Sequence, residues 1–349
     1  MSEEHRCHGT WWLVLWETVV VAVEVLFQKV CMMGLPSLEH IGQEGNNDEI
    51  SEDRYCIVTG PTSGIGRETA QEMYRRGWHV VLACRNEKKG RQLADEMRTR
   101  FENTHRGEVQ VMQLDVSSLQ SVREFAGTWG RKVKMPVHVL INNAGVFAMS
   151  APRTETKDGL ESHMGTNFVG HFLLTELMMP WMAKAQQQSG APARIINVSS
   201  KLHRMGKIHT DDPNLKLKGS YNSLVAYSQS KLAQVMFSKE CNRKHAGIVH
   251  CMSVHPGEVL TDVVRSLPLF MQHLYRMIMR LFLLTPAQGA RSTVYCATSS
   301  NFATKEYAHV CYIDSNCEPG TPHPSIHDDA LVSWLWQWSV DITQDNRQN

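Results

Sequence analysis

Two periodicities alternate along most of the chain. From Tyr55 onward, short β-branched runs are separated by longer stretches of helical period. The runs predict strands over Tyr55–Thr59, His79–Ala83, Glu108–Leu114, Val137–Asn142, Ala193–Ser199, Ile248–His255 and Tyr307–Tyr312. This alternation predicts an α/β fold: a single doubly wound parallel sheet, about seven strands, with helices on both faces and right-handed crossovers. Such a sheet binds its ligand beyond the carboxyl ends of its strands, so the loops that follow them are where chemistry is expected. No internal repeat is present.

The pattern differs at both ends. Trp11–Phe27 (WWLVLWETVVVAVEVLF) is apolar but carries Glu17 and Glu24. A spanning helix needs about 20 mostly apolar residues, and a central carboxylate costs about 3 kcal/mol, so a simple span fits poorly. The two glutamates are two helical turns apart and share one narrow face, which suits a helix lying at a membrane surface or packed on a partner; burial in the protein's own core is the alternative. A cleaved signal peptide fits less well, because Glu3 and Glu4 face only Arg6 and no small-x-small cleavage site is evident. Leu38–Asp53 reads as a linker. Asp328–Trp338 (DDALVSWLWQW) is a tryptophan-rich helical candidate that could cover a pocket, pack on the sheet or touch a membrane. The expected organisation is a membrane-associating segment with its linker over 1–53, a catalytic domain over 54–315 and a helical extension over 316–349.

Composition narrows the partners. With 42% hydrophobic and 20% charged residues the chain can bury a core, and 36 basic against 35 acidic residues leave no basic footprint for nucleic acid. Nine cysteines without a Cys-x-x-Cys pair argue against a disulfide scaffold and suit a reducing, cytosol-facing environment. The HPSIH stretch at 323–327 has a proline that spoils helical His pairing, so it reads as a solvated loop and no metal site is expected.

Directly after the first strand comes TGPTSGIG, then a helical segment. Gly60, Thr62, Ser63, Gly64, Ile65 and Gly66 form a candidate phosphate cradle, with a tight turn, close backbone approach and a helix N-terminus. A glycine trio alone is weak evidence, since a structural turn is the alternative, but its place between a strand and a helix strengthens the reading. The second strand ends in Cys84-Arg85 rather than a carboxylate, and a guanidinium there favours a 2'-phosphate; Arg67 could add a second charge. Both arginines also read as ordinary surface residues. These residues favour NADP(H), with NAD(H) left open. Asp115, with Val116, ends the third strand where an adenine edge would lie, or else caps the next helix.

Tyr227 and Lys231 are four apart in a helical segment and share a face, so the ammonium is expected to lower the phenol pKa. The spacing alone is common. It gains weight from Asn142-Asn143-Ala144-Gly145 and Asn197-Val198-Ser199-Ser200, which end the fourth and fifth strands at the same sheet edge as the glycine loop.

TGPTSGIG, NNAG, the serine after strand five, YSQSK and PGEVLT stand in the order and at roughly the spacings of the short-chain dehydrogenase/reductase family, which the chain resembles over about residues 54 to 315. LACRN, LINNAG, GTNFVGHFLLT and AYSQSKLA resemble the retinol dehydrogenase type and the relative named for its human X-chromosome location. The resemblance implies a Rossmann-type sheet and a catalytic tetrad at Asn167, Ser200, Tyr227 and Lys231, with Ser200 preferred over Ser199 because family serines usually take the second position. It implies that Ser200 holds the substrate oxygen and Tyr227 donates or accepts the proton. Lys231 would bind the nicotinamide ribose, and Asn167 would order a water leading from Lys231 to solvent. Tyr227 and Lys231 therefore also count as cofactor contacts, as do Asn142, Ala144 and Gly145 of the NNAG loop, while Pro256, Gly257 and Thr261 would receive the carboxamide. Between Ser200 and Tyr227 lies an insertion longer than is usual in the wider family, expected as a polar surface lobe.

After strand six, Leu267–Leu284 (LPLFMQHLYRMIMRLFLL) reads as a basic amphipathic helix, either on a membrane or as a pocket lid, and both suit a hydrophobic substrate. The expected protein is an NADP(H)-dependent oxidoreductase interconverting a lipophilic alcohol and its aldehyde or ketone, of retinoid, steroid or isoprenoid type. It would be membrane-associated at the endoplasmic reticulum with its catalytic domain facing the cytosol. The alternative is a catalytically idle, membrane-tethered scaffold that keeps the dinucleotide fold. By analogy with the family, a homodimer would form through the helices flanking strands four and five.

Overall fold

The computed structural model describes residues 28, 34–41, 54–102, 107–147, 151–259, 283–304, 307 and 309–345. The apolar stretch 11–27, Thr261 and nearly all of the amphipathic stretch 267–284 lie outside them.

Strands and helices alternate as β1 (Tyr55–Thr59), α1 (Gly64–Arg75), β2 (His79–Cys84), α2 (Glu87–Arg100), β3 (Val109–Gln113), α3 (Leu119–Thr128), β4 (Val139–Asn142), α4 (Gly170–Ser189), β5 (Ala193–Val198), α5 (Ser223–Lys244), β6 (Val249–Val254), α6 (Pro286–Thr298), β7 (Tyr312–Ile313) and α7 (Asp329–Asp345). The seven strands form one parallel sheet in the order β3-β2-β1-β4-β5-β6-β7. β1 and the central strands are apolar on both faces because helices cover both. Alternation then sorts side chains by parity. Ile57, Val81, Leu140, Ile195 and Cys251 join α3, α4 and α5 in one cluster, whereas Cys56, Val58, Leu82, Ile141 and Val254 join α1, α2 and α6 in the other.

The chain runs outward from β1 to β3 and then returns to β4 on the other side of β1, so the order reverses between β1 and β4. At this switch point the loops after two adjacent strands diverge and leave a crevice. The glycine loop and the NNAG loop stand there.

Three expectations change. The last strand is Tyr312–Ile313 rather than Tyr307–Tyr312, because Tyr307 and Val310 pack beside Phe302 instead of pairing. The insertion after Ser200 is not a surface lobe throughout: His203, Ile208 and Leu215 are buried. HPSIH is not simply solvated: Pro324–His327 forms a 3-10 turn whose Ile326 is buried and whose Ile326 carbonyl accepts from Lys239 Nζ at 2.7 Å. The tryptophan-rich stretch opens α7 and lies on α4 and α5, where Trp336 stacks on Phe237 at 5.7 Å and meets Phe172 edge-on at 5.1 Å. The linker is also partly docked. Arg76 donates to Leu38 O and Ile41 O at 2.9 and 2.7 Å, and Ile41 packs beside Val294.

The seven described cysteines are free thiols. No helix among the described residues is long and apolar enough to cross a membrane. No group of three or more His, Cys, Asp or Glu among them could hold a metal ion.

Candidate active site

The glycine loop is set by its neighbours. Gly60 and Gly64 have φ of +62° and +57°, in the left-handed region that favours glycine. A Cβ on Gly66 would stand 2.3 Å from Asn143 Nδ2 and 2.5 Å from Gly60 O, so only glycine fits under the loop. Asn143 donates through Nδ2 to Thr59 O and Gly60 O at 2.9 and 3.2 Å and ties the NNAG loop to the glycine loop. Thr59 Oγ1 accepts from Asn143 N and Ala144 N, both at 2.9 Å. Ser63 caps α1 in extended conformation without a side-chain hydrogen bond, leaving the first-turn N–H groups facing the loop.

Other residues of the expected cofactor site divide. Arg85 is exposed at the end of β2, while Arg67 forms an ion pair with Glu96 and is not a free second charge. Asp115 accepts from Ser117 N and Oγ at 3.0 and 2.6 Å, a local turn, while Ser118 caps α3. Val116 is buried in the core. Asn142 is 0% exposed and donates to Asn197 Oδ1 at 2.9 Å and Thr175 Oγ1 at 3.2 Å, which makes it a tie between β4 and β5 rather than a wall of the crevice. Pro256 is buried, and Gly257 turns the loop after β6 with φ +79°.

A second group gathers beside the NNAG loop. Asn167 lies in a π turn, Met164–Val169, that leads into α4. Its Nδ2 donates to Val146 O at 3.1 Å and to Ser230 Oγ at 3.0 Å, and its Oδ1 accepts from Val146 N at 2.8 Å. Gly145 packs between Asn167 and Lys231: a Cβ there would be 3.2 Å from Asn167 Oδ1 and 3.7 Å from Lys231 Nζ. Lys231 Nζ donates to Val198 O at 2.8 Å and Gln234 Oε1 at 3.2 Å, and Gln234 Nε2 donates to Asn167 O at 2.8 Å. Gln234 thus links Lys231 to Asn167 through protein atoms alone. His171 Nδ1 donates to Asn167 O at 3.1 Å, which leaves Nε2 to accept from Thr59 Oγ1 at 3.0 Å and joins this group to β1.

Tyr227 is one turn before Lys231, whose Nζ is 5.5 Å from the phenol ring centre. The Ser200 side chain lies beside the Tyr227 phenol, near enough to favour its charged form, and its Oγ accepts from Leu202 N at 3.2 Å. The adjacent Ser199 instead donates to Lys231 O at 3.0 Å and serves the backbone. The structure therefore brings Asn167, Ser200, Tyr227 and Lys231 together. The expected lowering of the tyrosine pKa is not what these side chains produce. Burial pushes the Tyr227 phenol above its ordinary value, the Glu258 carboxylate adds to this, and the neighbouring Ser200 hydroxyl opposes both. Burial pushes Lys231 down to about 7. Glu258, not singled out in the sequence, sits in the PGEVLT loop, whose backbone is held from outside: Gln28 accepts from Glu258 N and donates to Glu258 O, both at 2.9 Å.

A family model described as short chain dehydrogenase matches residues 54–212. Dehydrogenase/reductase SDR family member FEY of Arabidopsis thaliana is 35% identical, the match covering 95% of this chain and 87% of that protein. Human retinol dehydrogenase 11 is 38% identical over 83% of this chain and 85% of its own length. The chain belongs to the short-chain dehydrogenase/reductase family. A crystal structure of a Mycobacterium paratuberculosis protein superposes with a TM-score of 0.61 at 29% identity, covering 83% of this chain and 93% of that one.

A short-chain dehydrogenase/reductase is an oxidoreductase of CH–OH groups that uses a nicotinamide dinucleotide. The residues here fit one: the loop backbone comes too close for any Cβ at Gly66, and the open first turn of α1 offers N–H donors to a pyrophosphate. Gln234, His171 and Glu258 were not legible as site residues, although His171 follows Asn167 by four positions and so shares its helix face; Asn143 was legible only as part of the NNAG motif.

Proposed function

We propose that this short-chain dehydrogenase/reductase interconverts a lipophilic alcohol and its aldehyde or ketone, with NADP(H) as preferred cofactor and Tyr227 as general acid and base. The observation that carries this reading is the gathering of Tyr227, Lys231 and the Asn167 turn around Gly145, with Ser200 beside the phenol, at the edge where the glycine loop opens. A bound dinucleotide supplies or takes up the hydride. Ser200 holds the substrate oxygen by hydrogen bonding. Tyr227, kept protonated by burial, gives its phenolic proton to that oxygen as negative charge develops during reduction, and takes it back in oxidation. Lys231 and Asn167, joined by Gln234, fix the floor of the site.

Gly60, Gly64 and Gly66 would hold the pyrophosphate, and Arg85 a 2'-phosphate. The retinol dehydrogenase relatives support a hydrophobic substrate of retinoid, steroid or isoprenoid type. The apolar stretch 11–27 supports attachment to a membrane surface, which we place at the endoplasmic reticulum with the catalytic domain towards the cytosol. Titration with each cofactor tests the phosphate assignment. Replacing Arg85→Ala should weaken NADPH by about tenfold or more, the worth of one charge-assisted contact, and leave NADH nearly unchanged. Equal binding of the two cofactors by the unaltered protein would refute it. Tyr227→Phe should abolish turnover of hydrophobic carbonyls.

A further inference from the structure

Two buried ionisable residues stand beside Tyr227 without a part in the chemistry above. Glu161 is 0% exposed and His163 2%. His163 Nδ1 pairs with Glu161 Oε1 at 2.8 Å, and Glu161 Oε2 accepts from Met164 N at 2.8 Å. The Glu161 backbone is held as well: its N–H donates to Asn214 Oδ1 at 3.0 Å and its carbonyl accepts from Gly165 N at 2.7 Å. One carboxylate therefore caps the start of the Met164–Val169 turn that carries Asn167 and also sets the plane of the imidazole. That imidazole meets the Tyr227 ring edge-on, with ring centres 6.1 Å apart and planes at 81°. Phe147 packs on the same tyrosine at 4.4 Å and on His163 at 6.5 Å. Asn167 reaches the same tyrosine by another route, through Ser230 Oγ, which donates to Tyr227 O at 2.7 Å.

Packing alone does not call for a buried carboxylate and imidazole, since apolar side chains of similar volume fill such space without the cost of desolvating charge. What the pair adds is direction. A carboxylate with both oxygens engaged cannot rotate, and an imidazole tied by Nδ1 presents a fixed edge. The geometry points to Glu161 and His163 as positioning residues that hold the Tyr227 ring and the Asn167 turn in one frame, with Asn214 of the 201–226 insertion supporting Glu161 from outside. This rests on Tyr227 being the proton donor, and it gives the insertion a part in catalysis. Neither residue moves a proton here: they aim the phenol at the oxygen that Ser200 holds.

The test is steady-state reduction of decanal with NADPH by the full-length protein, in water and in deuterium oxide. Glu161→Ala and His163→Phe should each lower kcat by about tenfold, because a misaimed donor costs rate steeply, while the NADPH dissociation constant stays within about twofold. The solvent isotope effect on kcat should rise in both, since proton transfer becomes the slow step; loss of folded protein lowers the rate without changing that ratio. Glu161→Gln keeps an acceptor for Met164 N–H and a partner for His163, so it should recover most of the rate. An unchanged kcat and isotope effect in Glu161→Ala and His163→Phe would overturn the inference. If neither variant binds NADPH, half-buried Asn214→Ala decides by the same isotope readout, a rise supporting the inference and an unchanged ratio overturning it. Absence of turnover by the unaltered protein across a carbonyl panel, or wild-type rates in Tyr227→Phe, would instead remove the assignment of Tyr227 and the inference with it.

Discussion

At the scale of single residues, Lys231 shows how burial and charge trade against each other. Its ammonium gives up water for two acceptors, Val198 O and Gln234 Oε1, and burial brings it down to about 7. A lowered lysine pKa means the charged form is present below about 7 and is lost as pH rises through that value. If the ammonium serves the reaction, kcat/KM for carbonyl reduction should therefore fall as pH rises through about 7, while Tyr227, shifted upward, stays protonated over the same range. A pH–rate profile that stays flat to alkaline pH would contradict this. The residues that set these values were only partly legible. Tyr227, Lys231 and the glycine loop announce themselves by local spacing, whereas Gln234 and Glu161 act through partners far off in sequence, Gln234 on Asn167 and Glu161 on Asn214. The two serines could be ranked only by resemblance; their different surroundings, Ser199 donating to Lys231 O and Ser200 beside the Tyr227 phenol, exist only once α5 lies against the end of β5.

At the scale of elements, the strands flanking the crevice were legible because a strand covered on both faces reads as an unbroken apolar run. β1 begins and ends where its run does. β7 does not, because an edge strand of two residues carries little pattern of its own and tertiary packing decides where it pairs. The buried part of the insertion was hidden for a related reason: His203, Ile208 and Leu215 are separated by polar residues and follow no period. Gln28, just after the apolar stretch 11–27, makes a contact with the site that its sequence does not announce. Gln28 imitates a neighbouring strand by pairing with both backbone groups of Glu258, in the loop whose carboxylate acts on Tyr227. Losing two such hydrogen bonds costs about 1–3 kcal/mol, so Gln28→Ala should loosen this loop and lower kcat/KM by about fivefold or more, with the global melting temperature nearly unchanged. Amide exchange at Gly257 and Glu258 reports the loosening directly; unaltered exchange and unaltered rate would show the clamp to be passive.

At the scale of the whole molecule, two apolar layers among the described residues sandwich the sheet, and α7 adds to the one formed by α3, α4 and α5. Val332, Leu335 and Trp336 belong to the same cluster as α4 and α5, and the π faces of Trp336 and Phe237 lie nearly parallel, at 21°. Removing a buried tryptophan of this kind costs about 3–5 kcal/mol. Trp336→Ala should thus lower stability by roughly that amount in denaturant titration, and a change below about 1 kcal/mol would mean that α7 rests on the domain without holding it. The position of α7 also bears on association. By the family analogy a homodimer would form through the helices flanking β4 and β5, and Trp336 of α7 is seated on Phe172 and Phe237 of two of them. A second copy using the ground under Trp336 would have to displace α7 and uncover Phe172 and Phe237. Light scattering of the intact protein should accordingly report a single chain, and loosening α7, rather than raising the concentration, should be what turns it into a pair.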